Sequence, residues 1–250
     1  MTACGTSIWG VPMAEPMIEV ADVNAHYGLS HALHSLHLTV SRECVAMMGR
    51  NGVGKTTLAR ALMGLTPPNA QGSIRIFGQD VAGWPPHRIA RHGVGYVPQG
   101  RRLFPSLTVD EHLRLNLRAG PTGERWTVEG VYELFPSLGQ RRKSFGNQIS
   151  GGERSMLAIG RALVTNPGCL ILDEPTEGLA PSVVETVATG LRELSQEGVA
   201  VLLIEQNVKA AAMAADRAYF MAEGHIVHEA TDQAAMTDDE VLAKYLGVSA

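Results

Sequence analysis

The 250-residue chain has few cysteines and no strongly basic segment. Its three cysteines, Cys4, Cys44 and Cys169, are too few and too scattered for a disulfide framework or a zinc site, which is typical of a reducing cytoplasm. No block of five or more Lys or Arg occurs, and the net charge is -4. We therefore expect no nucleic acid among its partners.

Long hydrophobic runs are also lacking. The longest apolar segments, such as VAVLLI at 199–204 and AAAMAA at 210–215, fall well short of the roughly 18 residues that a membrane span needs. The N-terminal segment has neither a basic region nor a long apolar region, so it does not resemble a signal peptide. We expect residues 1–16 to form a flexible extension.

Two kinds of strand are predicted from the apolar residues that are present. Within 18–40, apolar and polar residues alternate loosely, and Ile74 and Ile76 suggest a further strand of this kind, which predicts short antiparallel strands. Four other runs are continuously apolar and predict strands of a parallel sheet covered on both faces. These runs are CVAMM, VGYVP, CLIL and VAVLLI, which end at Gly49, Gln99, Asp173 and Glu205.

Because ligands of such sheets bind at the carboxyl ends of the strands, we expect the functional site at that edge. Between 103 and 163 the spacing is helical instead, which predicts a helical insertion. Its breaks are expected at Gly120, Pro121, Pro136 and Gly146.

The segment GRNGVGKTTL at 49–58 carries the pattern G-x-x-x-x-G-K-[ST] between a predicted strand and a predicted helix. Its glycines let backbone N–H groups converge on phosphate oxygens, Lys55 would reach the β and γ phosphates, and Thr56 would ligate Mg2+. The alternative is a plain glycine-rich turn. The residues predicted to bind the nucleotide here are Gly49, Arg50, Asn51, Gly52, Val53, Gly54, Lys55, Thr56 and Thr57.

An acidic pair follows the buried run CLIL. Asp173 is predicted as the carboxylate on the metal side, and Glu174 as the general base for an attacking water. Taken alone, such a pair is more often a helix cap, but the phosphate loop favours the catalytic interpretation. No N-K-x-D sequence follows, so we expect ATP and not a guanine nucleotide.

The segment ISGGERSMLAIGRAL at 149–163 predicts a second anion-binding helix N-terminus. Its alternative interpretation is a simple helix cap. The residues expected at this terminus are Ser150, Gly151, Gly152 and Glu153. About 20 residues before Asp173, this segment resembles the signature motif of the ABC ATPases.

This resemblance covers the chain from about Met17 onward. It implies an α/β fold, with a P-loop NTPase (RecA-like) core, an antiparallel β edge sheet and a helical subdomain. The ABC ATPase domain would span 17–250, with the core at 17–100 and 161–230 and the helical subdomain at about 101–160. A C-terminal helix is expected at about 236–247.

The resemblance also implies roles for single residues. Tyr27 resembles the aromatic residue that stacks on adenine, and Gln99 the Q-loop glutamine that also ligates Mg2+. Gln206 stands where the family usually has a switch His, so it is expected in the catalytic site. Two further departures from the family pattern are Ala180, where a D-loop Asp is usual, and Glu153, where Gln is often found.

In the family, two ATPase domains pair head to tail, so the residues at 150–153 would serve the ATP of a second ABC ATPase subunit. The segments GYVPQGRRLFPSLTV, DEPTEGLAP and LIEQN resemble the shorter ATPase subunit of importers for branched-chain amino acids and related amides. The implied partners are integral membrane permease subunits and, indirectly, a periplasmic or extracellular binding protein. The implied location is the cytoplasmic face of the membrane.

Two alternatives remain from the sequence. Lone ATPase subunits for export of lipid or lipopolysaccharide are similar, and only the details EGLAP and IEQN favour import. A non-transport ABC ATPase of DNA repair or translation would bring a long coiled-coil insertion or a second cassette. Neither of these is present in the sequence.

Overall fold

The computed structural model of the protein describes residues 15–118 and 125–247. The strands, in chain order, are β1 (Ile18–Tyr27), β2 (Ser30–Val40), β3 (Cys44–Met48), β4 (Asn69–Ile76), β5 (Gln79–Asp80), β6 (Val94–Val97), β7 (Cys169–Asp173), β8 (Ala200–Glu205), β9 (Arg217–Ala222) and β10 (His225–Ala230). The helices are α1 (Lys55–Leu62), α2 (Pro86–Arg91), α3 (Val109–Asn116), α4 (Val128–Leu134), α5 (Pro136–Gln140), α6 (Gly151–Leu163), α7 (Pro181–Gln196), α8 (Val208–Ala214), α9 (Gln233–Met236) and α10 (Asp239–Tyr245).

The larger sheet has six strands in the order β10-β9-β3-β8-β7-β6. Five of them run parallel, and β10 is antiparallel to β9. The four strands predicted from continuous apolar runs are β3, β6, β7 and β8, and all four are confirmed. Every residue of β3, β7 and β8 is buried, as expected for strands covered on both faces. Strands β9 and β10 were not predicted from the sequence.

The smaller sheet is antiparallel, with the order β2-β1-β4-β5. It confirms the antiparallel strands expected within 18–40 and around Ile74 and Ile76. Buried apolar residues alternate along β1, beginning with Ile18 and Val20, so one face of this sheet packs inward.

The parallel sheet lies between two layers, because alternate residues of its strands point to opposite faces. On one side Met47 packs in a cluster with Leu58 of α1 and with the smaller sheet. On the other side Met48 packs in a cluster with Leu157 of α6 and with α7. The expected α/β core with an antiparallel edge sheet is therefore confirmed. This packing leaves the carboxyl edge of the parallel strands to the loops.

Helices α3, α4, α5 and α6 occupy the predicted helical insertion at 103–163. Pro136, predicted as a break, is the first residue of α5, a position where its missing N–H is tolerated. The predicted breaks at Gly120 and Pro121 lie outside the described residues. The boundary expected between 160 and 161 falls inside α6 (Gly151–Leu163), while the division into core and helical subdomain stays a prediction.

The two ends of the chain are only partly covered. Of the extension expected at 1–16, only residues 15 and 16 are described. Near the C-terminus, α10 lies within the helix expected at about 236–247, and α9 ends at Met236. Across the described parts of the chain, every helix is too short or too polar to traverse a bilayer. Cys44 and Cys169 are free thiols and fully buried, whereas Cys4 lies outside the described residues.

Candidate functional site

The carboxyl ends of three neighbouring strands form the candidate site. In the sheet, β8 lies between β3 and β7, with Met48 of β3 opposite Glu205 of β8 and Asp173 of β7 opposite Ile204. The phosphate loop follows β3, Gln206 follows β8, and Glu174 follows β7. Segments that are far apart in the sequence are thereby brought to one edge, as the strand assignment predicts.

The phosphate loop connects β3 to the N-terminus of α1. Gly52 and Gly54 have φ values of 83° and 116°, in the left-handed region that favours glycine. A Cβ atom on Gly49 would lie 2.5 Å from the carbonyl oxygen of Met221, so a side chain cannot be accommodated there. These glycines allow the loop to lead directly into the N-terminus of α1, and a glycine-rich loop before a helix N-terminus is the arrangement that binds phosphate.

Lys55 is almost fully buried, with 4% of its surface exposed. Its Nζ donates to the carbonyl oxygens of Gly49 at 2.8 Å and Arg50 at 3.0 Å. The same atom lies 3.3 Å from Oε1 of Glu174. These three acceptors match the three N–H donors of the ammonium group, so the charge is held in one place in the loop.

Thr56 and Asp173 lie next to this ammonium group. The Thr56 hydroxyl donates to Oδ1 of Asp173 at 3.1 Å. Burial raises the pKa of Asp173 to about 6, the hydrogen bond from Thr56 opposes this effect, and the charge of Glu174 adds to it. Oδ2 of Asp173 is buried and has no hydrogen-bond partner among the described residues. An unpaired carboxylate oxygen beside a hydroxyl is a donor set that fits a hard cation such as Mg2+.

Glu174 and Gln99 form the other side of the cluster. Gln99 Nε2 donates to Oε2 of Glu174 and to Oε2 of Glu177, both at 3.0 Å. The backbone of Glu174 has φ of 50°, and its N–H donates to the carbonyl oxygen of Ile204 at 2.9 Å. A left-handed residue other than glycine persists where its surroundings hold it, and such residues concentrate at functional sites.

Two other predicted residues lie at the edges of the cluster. Gln206 is exposed directly after β8, and within 15–118 and 125–247 its side chain has no hydrogen bond to the protein. Tyr27 ends β1 with 37% of its surface exposed. In the same described ranges no aromatic ring stacks on it. The structure thus positions both residues without engaging their side chains.

The residues Ser150 to Glu153 form the first turn of α6 with its N-cap, and they are called the signature turn below. The Ser150 hydroxyl accepts the N–H of Glu153 at 3.2 Å, and Oε2 of Glu153 accepts the N–H of Ser150 at 2.7 Å. Arg141 Nε lies 3.5 Å from Oε1 of Glu153. Among the residues that the structure describes, no hydrogen bond or ion pair joins this turn to the phosphate loop. The expected helix N-terminus is confirmed, and apart from the ion pair with Arg141 its bonding lies within the turn.

Glu177 and Glu205 contribute contacts that the sequence analysis did not anticipate. Glu177 shares the Gln99 amide with Glu174, and no sequence pattern distinguishes it from other loop carboxylates. Glu205 is 2% exposed and contacts Thr176, two residues after Glu174. Its sequence signal was available, because a carboxylate continues the apolar run of β8 immediately before Gln206.

Comparison with known proteins gives consistent matches. Residues 33–177 match the family model described as ABC transporter. The chain is 41% identical, over 92% of its length and 100% of the relative, to the high-affinity branched-chain amino acid transport ATP-binding protein BraG of Pseudomonas aeruginosa. It is 35% identical, over 88% of its length and 93% of the relative, to the lipopolysaccharide export system ATP-binding protein LptB of Haemophilus influenzae. A dimeric ATP-binding cassette in a post-hydrolysis state, bound to ADP and Pi, aligns with a TM-score of 0.74 at 25% identity, over 86% of this chain and 98% of that one.

Proposed function

The chain belongs to the ABC transporter family, whose ATP-binding domains hydrolyse ATP, and we propose that it drives an importer of branched-chain amino acids or related small amides. The observation that carries the proposal for ATP is the buried cluster in which Lys55 meets Glu174 beside Thr56 and Asp173. Import is favoured over export because the identity to the branched-chain amino acid protein is higher and extends over all of that relative.

Binding is proposed to begin with the phosphates. The loop amides and Lys55 hold the β and γ phosphates of ATP, and the ring face of Tyr27 stacks on adenine. Thr56 and Asp173, with Gln99, hold Mg2+, which when bound neutralises charge on the phosphate oxygens. The partial exposure of Tyr27 and the unpaired oxygen of Asp173 support these assignments.

Hydrolysis is proposed to depend on Glu174 and Gln206. Lys55 already has three acceptors, so a phosphate oxygen that binds its ammonium group takes the place of the Glu174 carboxylate. Glu174 is then free to accept a proton from the attacking water, with Gln99 keeping the carboxylate oriented. Gln206 donates its amide N–H to the terminal phosphate.

A second ATPase subunit is proposed to complete each site. In this arrangement the signature turn contacts the ATP held by the phosphate loop of the partner. The local bonding of this turn and its exposed first residue support the assignment, since the turn has no bonded role in the site of its own chain. This proposed contact between the signature turn and the partner's ATP applies whether the second subunit is a copy of this chain or a different ATPase chain.

The proposed partners are integral membrane permease subunits, with a periplasmic or extracellular binding protein acting through them. Closure of the ATPase pair on ATP and its reopening after hydrolysis would move the permease between inward-facing and outward-facing states. The proposed location is the cytoplasmic face of the cell membrane, where the chain is held by the permease.

A second candidate is the ATPase of a lipid or lipopolysaccharide exporter. It is favoured by one observation, the 35% identity to the lipopolysaccharide export protein over 93% of that relative. The chemistry at the phosphate loop would be the same in both transporters, so only the partners and the cargo distinguish them.

The test replaces the native gene by Lys55→Ala and follows two cargoes in the same cells. Import predicts that uptake of radiolabelled leucine, isoleucine and valine falls by about tenfold or more while the lipopolysaccharide at the cell surface is unchanged. Native uptake with a loss of surface lipopolysaccharide would support the second candidate instead. The native chain, purified with its membrane partners, should hydrolyse Mg·ATP, and the absence of hydrolysis would contradict both.

A further inference from the structure

Glu205 is a buried carboxylate with no cation beside it. Only 2% of its surface is exposed, and none of the ion pairs found among the described residues includes it. Burial raises the pKa of Glu205, and hydrogen bonds from Thr176, Asn207 and Gln206 oppose this effect. A buried charge without a counterion is unfavourable unless hydrogen bonds compensate it. The presence of a carboxylate at this buried position therefore calls for a structural or functional explanation.

Each oxygen of this carboxylate accepts two hydrogen bonds, and the two oxygens bond to different segments of the chain. Oε1 accepts from the Thr176 N–H at 3.1 Å and from the Thr176 hydroxyl at 2.6 Å. Oε2 accepts from the N–H groups of Gln206 at 3.1 Å and Asn207 at 3.2 Å. The side chain therefore spans the two turns that follow β7 and β8, and all four contacts are made to donors.

The two turns carry the groups proposed to act in hydrolysis. Thr176 lies two residues after Glu174, whose backbone is left-handed with φ of 50°. Ile204 of β8 accepts the N–H of Glu174, and Glu205 accepts both donors of Thr176. The unfavourable turn is thus held at two points by successive residues of β8.

A purely local role does not account for this geometry. The N-cap of α8 is Asn207, whose side chain already accepts the N–H of Ala210 at 3.1 Å. Glu205 is not needed as the cap of that helix. Its contacts reach across to the turn of the neighbouring strand instead.

We infer that Glu205 is a positioning residue, which holds the Glu174 turn and the Gln206 turn at a fixed separation so that both side chains meet the terminal phosphate together. This inference rests on the proposed ATPase function. It assigns Glu205 an effect on the rate of hydrolysis and no effect on nucleotide binding, because its contacts do not include the phosphate loop.

The test compares Glu205→Gln with the native full-length chain, each purified with its membrane partners. The amide keeps the shape of the side chain, but it points N–H donors at one of the two turns and loses the bonds there. We expect kcat for ATP to fall by about tenfold or more while KM and the ATP affinity change by less than about twofold. In the Gln206→Ala background the same substitution should have a clearly smaller effect on kcat, because part of its action passes through Gln206.

Glu43→Gln is the matched control for loss of a structural carboxylate. Glu43 accepts from Arg217 and from the Ser41 N–H just before β3, at the opposite edge of the sheet from the site. This variant should lower Tm and leave kcat at the native value. Equal losses of kcat in Glu43→Gln and Glu205→Gln would assign both effects to stability and overturn the positioning role.

Thr176 supplies a second pair of variants if Glu205→Gln fails to fold. Thr176→Ser keeps the hydroxyl that donates to Glu205 and should have native kcat, whereas Thr176→Val removes it and should lower kcat by about threefold. Native kcat in Glu205→Gln or in Thr176→Val, with an active native chain, contradicts the positioning role alone. A native chain that does not hydrolyse Mg·ATP even when purified with its membrane partners contradicts the proposed function itself.

Discussion

The phosphate loop and the signature turn both use the N-terminus of a helix, yet they differ in how their polar groups are paired. At the start of α1, Lys55 is buried and bonded to the loop and to Glu174, which comes from another strand. At the start of α6, Ser150 and Glu153 bond to each other within one turn. The first site is assembled from several segments of the chain, whereas the second bonds within its own turn apart from the ion pair of Glu153 with Arg141.

This difference indicates where each half of the proposed ATP site acts, the first half being the phosphate loop with Asp173 and Glu174 and the second the signature turn. The first half brings a buried ammonium group, a hydroxyl and two carboxylates together, which predicts that it binds Mg·ATP within one subunit. The second half has an exposed cap and local bonding, which predicts that it acts only on a second molecule. Substitutions that remove phosphate contacts in the first half should therefore change nucleotide binding by a single subunit, whereas substitutions in the second should change hydrolysis only in the assembly.

The largest expected effect comes from Glu174→Gln. If Glu174 is the general base, as proposed, its loss should lower kcat by roughly 10² to 10⁴-fold, while ATP still binds because the loop is unchanged. The variant should accumulate as a closed dimer with Mg·ATP, seen by size-exclusion chromatography. Glu185→Gln is the control, since it removes a carboxylate that only pairs with Lys209 on the surface. A monomeric Glu174→Gln that hydrolyses ATP normally would remove Glu174 from the mechanism.

Lys55→Ala should have the next largest effect, on binding. It removes the buried ammonium group, so we expect ATP affinity to fall by about 100-fold or more, in line with the loss of a charged hydrogen-bond partner in a buried site. Titration calorimetry with ATP on the isolated chain measures it. The exposed Lys209 provides the control, because Lys209→Ala breaks only its surface pair with Glu185. Native ATP affinity in Lys55→Ala would contradict the assignment of the loop.

The strands of the larger sheet differ in how well the sequence predicts them. The strands β3, β7 and β8 were predictable because continuous apolar runs report burial on both faces, and the carboxyl edge followed from their direction. The strands β9 and β10 were missed. β10 alternates in burial along its length and pairs antiparallel to β9, so it lacks the continuous apolar run that identified the others.

At the site, residue types and spacing predicted Lys55, Thr56, Asp173 and Glu174, and the structure brings these four together. Their roles stay predictions. Sequence could not show that Glu205 bridges two turns, because that contact depends on the register between β7 and β8. Spacing along one strand carries no information about the register of its neighbour.

Ser150→Ala is expected to have a smaller effect, and one that depends on assembly. Loss of the cap should reduce the free energy of unfolding by about 1 kcal/mol. Affinity of the isolated subunit for ATP should stay native, while hydrolysis by the assembled pair falls by about tenfold as the partner site loses a hydroxyl donor. The measurement is kcat of the native chain and of Ser150→Ala at protein concentrations above and below the dissociation constant of the dimer.

The matched control is Thr108→Ala. Thr108 caps α3 by the same pair of reciprocal hydrogen bonds, here with Glu111. Its replacement by Ala should therefore lower the free energy of unfolding by a similar amount. Hydrolysis should be unaffected in this control. If Thr108→Ala and Ser150→Ala reduce kcat equally, the signature turn has no role beyond helix stability.

Asp173→Asn should have the smallest effect in the nucleotide-free protein, and its sign depends on pH. Because burial raises the pKa of Asp173 from 3.8 to about 6, the folded state binds the proton more tightly than the unfolded state does. The resulting stabilisation is fully present below about pH 3.9, the usual pKa of an unfolded Asp, and is lost as the pH rises through about 6. The amide avoids this loss and can still accept the Thr56 hydroxyl.

Above pH 6 the Asp173→Asn chain should therefore be more stable than the native chain, by on the order of 1 to 2 kcal/mol after allowance for partial solvation. The difference should shrink as the pH falls from 6 to about 4, and urea denaturation at a series of pH values measures it. Asp110→Asn is the control with the opposite sign, because hydrogen bonding to Arg114 lowers the pKa of Asp110. Its loss should destabilise the chain near neutral pH and have less effect in acid. A difference between Asp173→Asn and the native chain that does not change with pH would show that burial does not raise the pKa of Asp173. The buried phosphate-loop half of the site would then not differ from the signature turn in this respect.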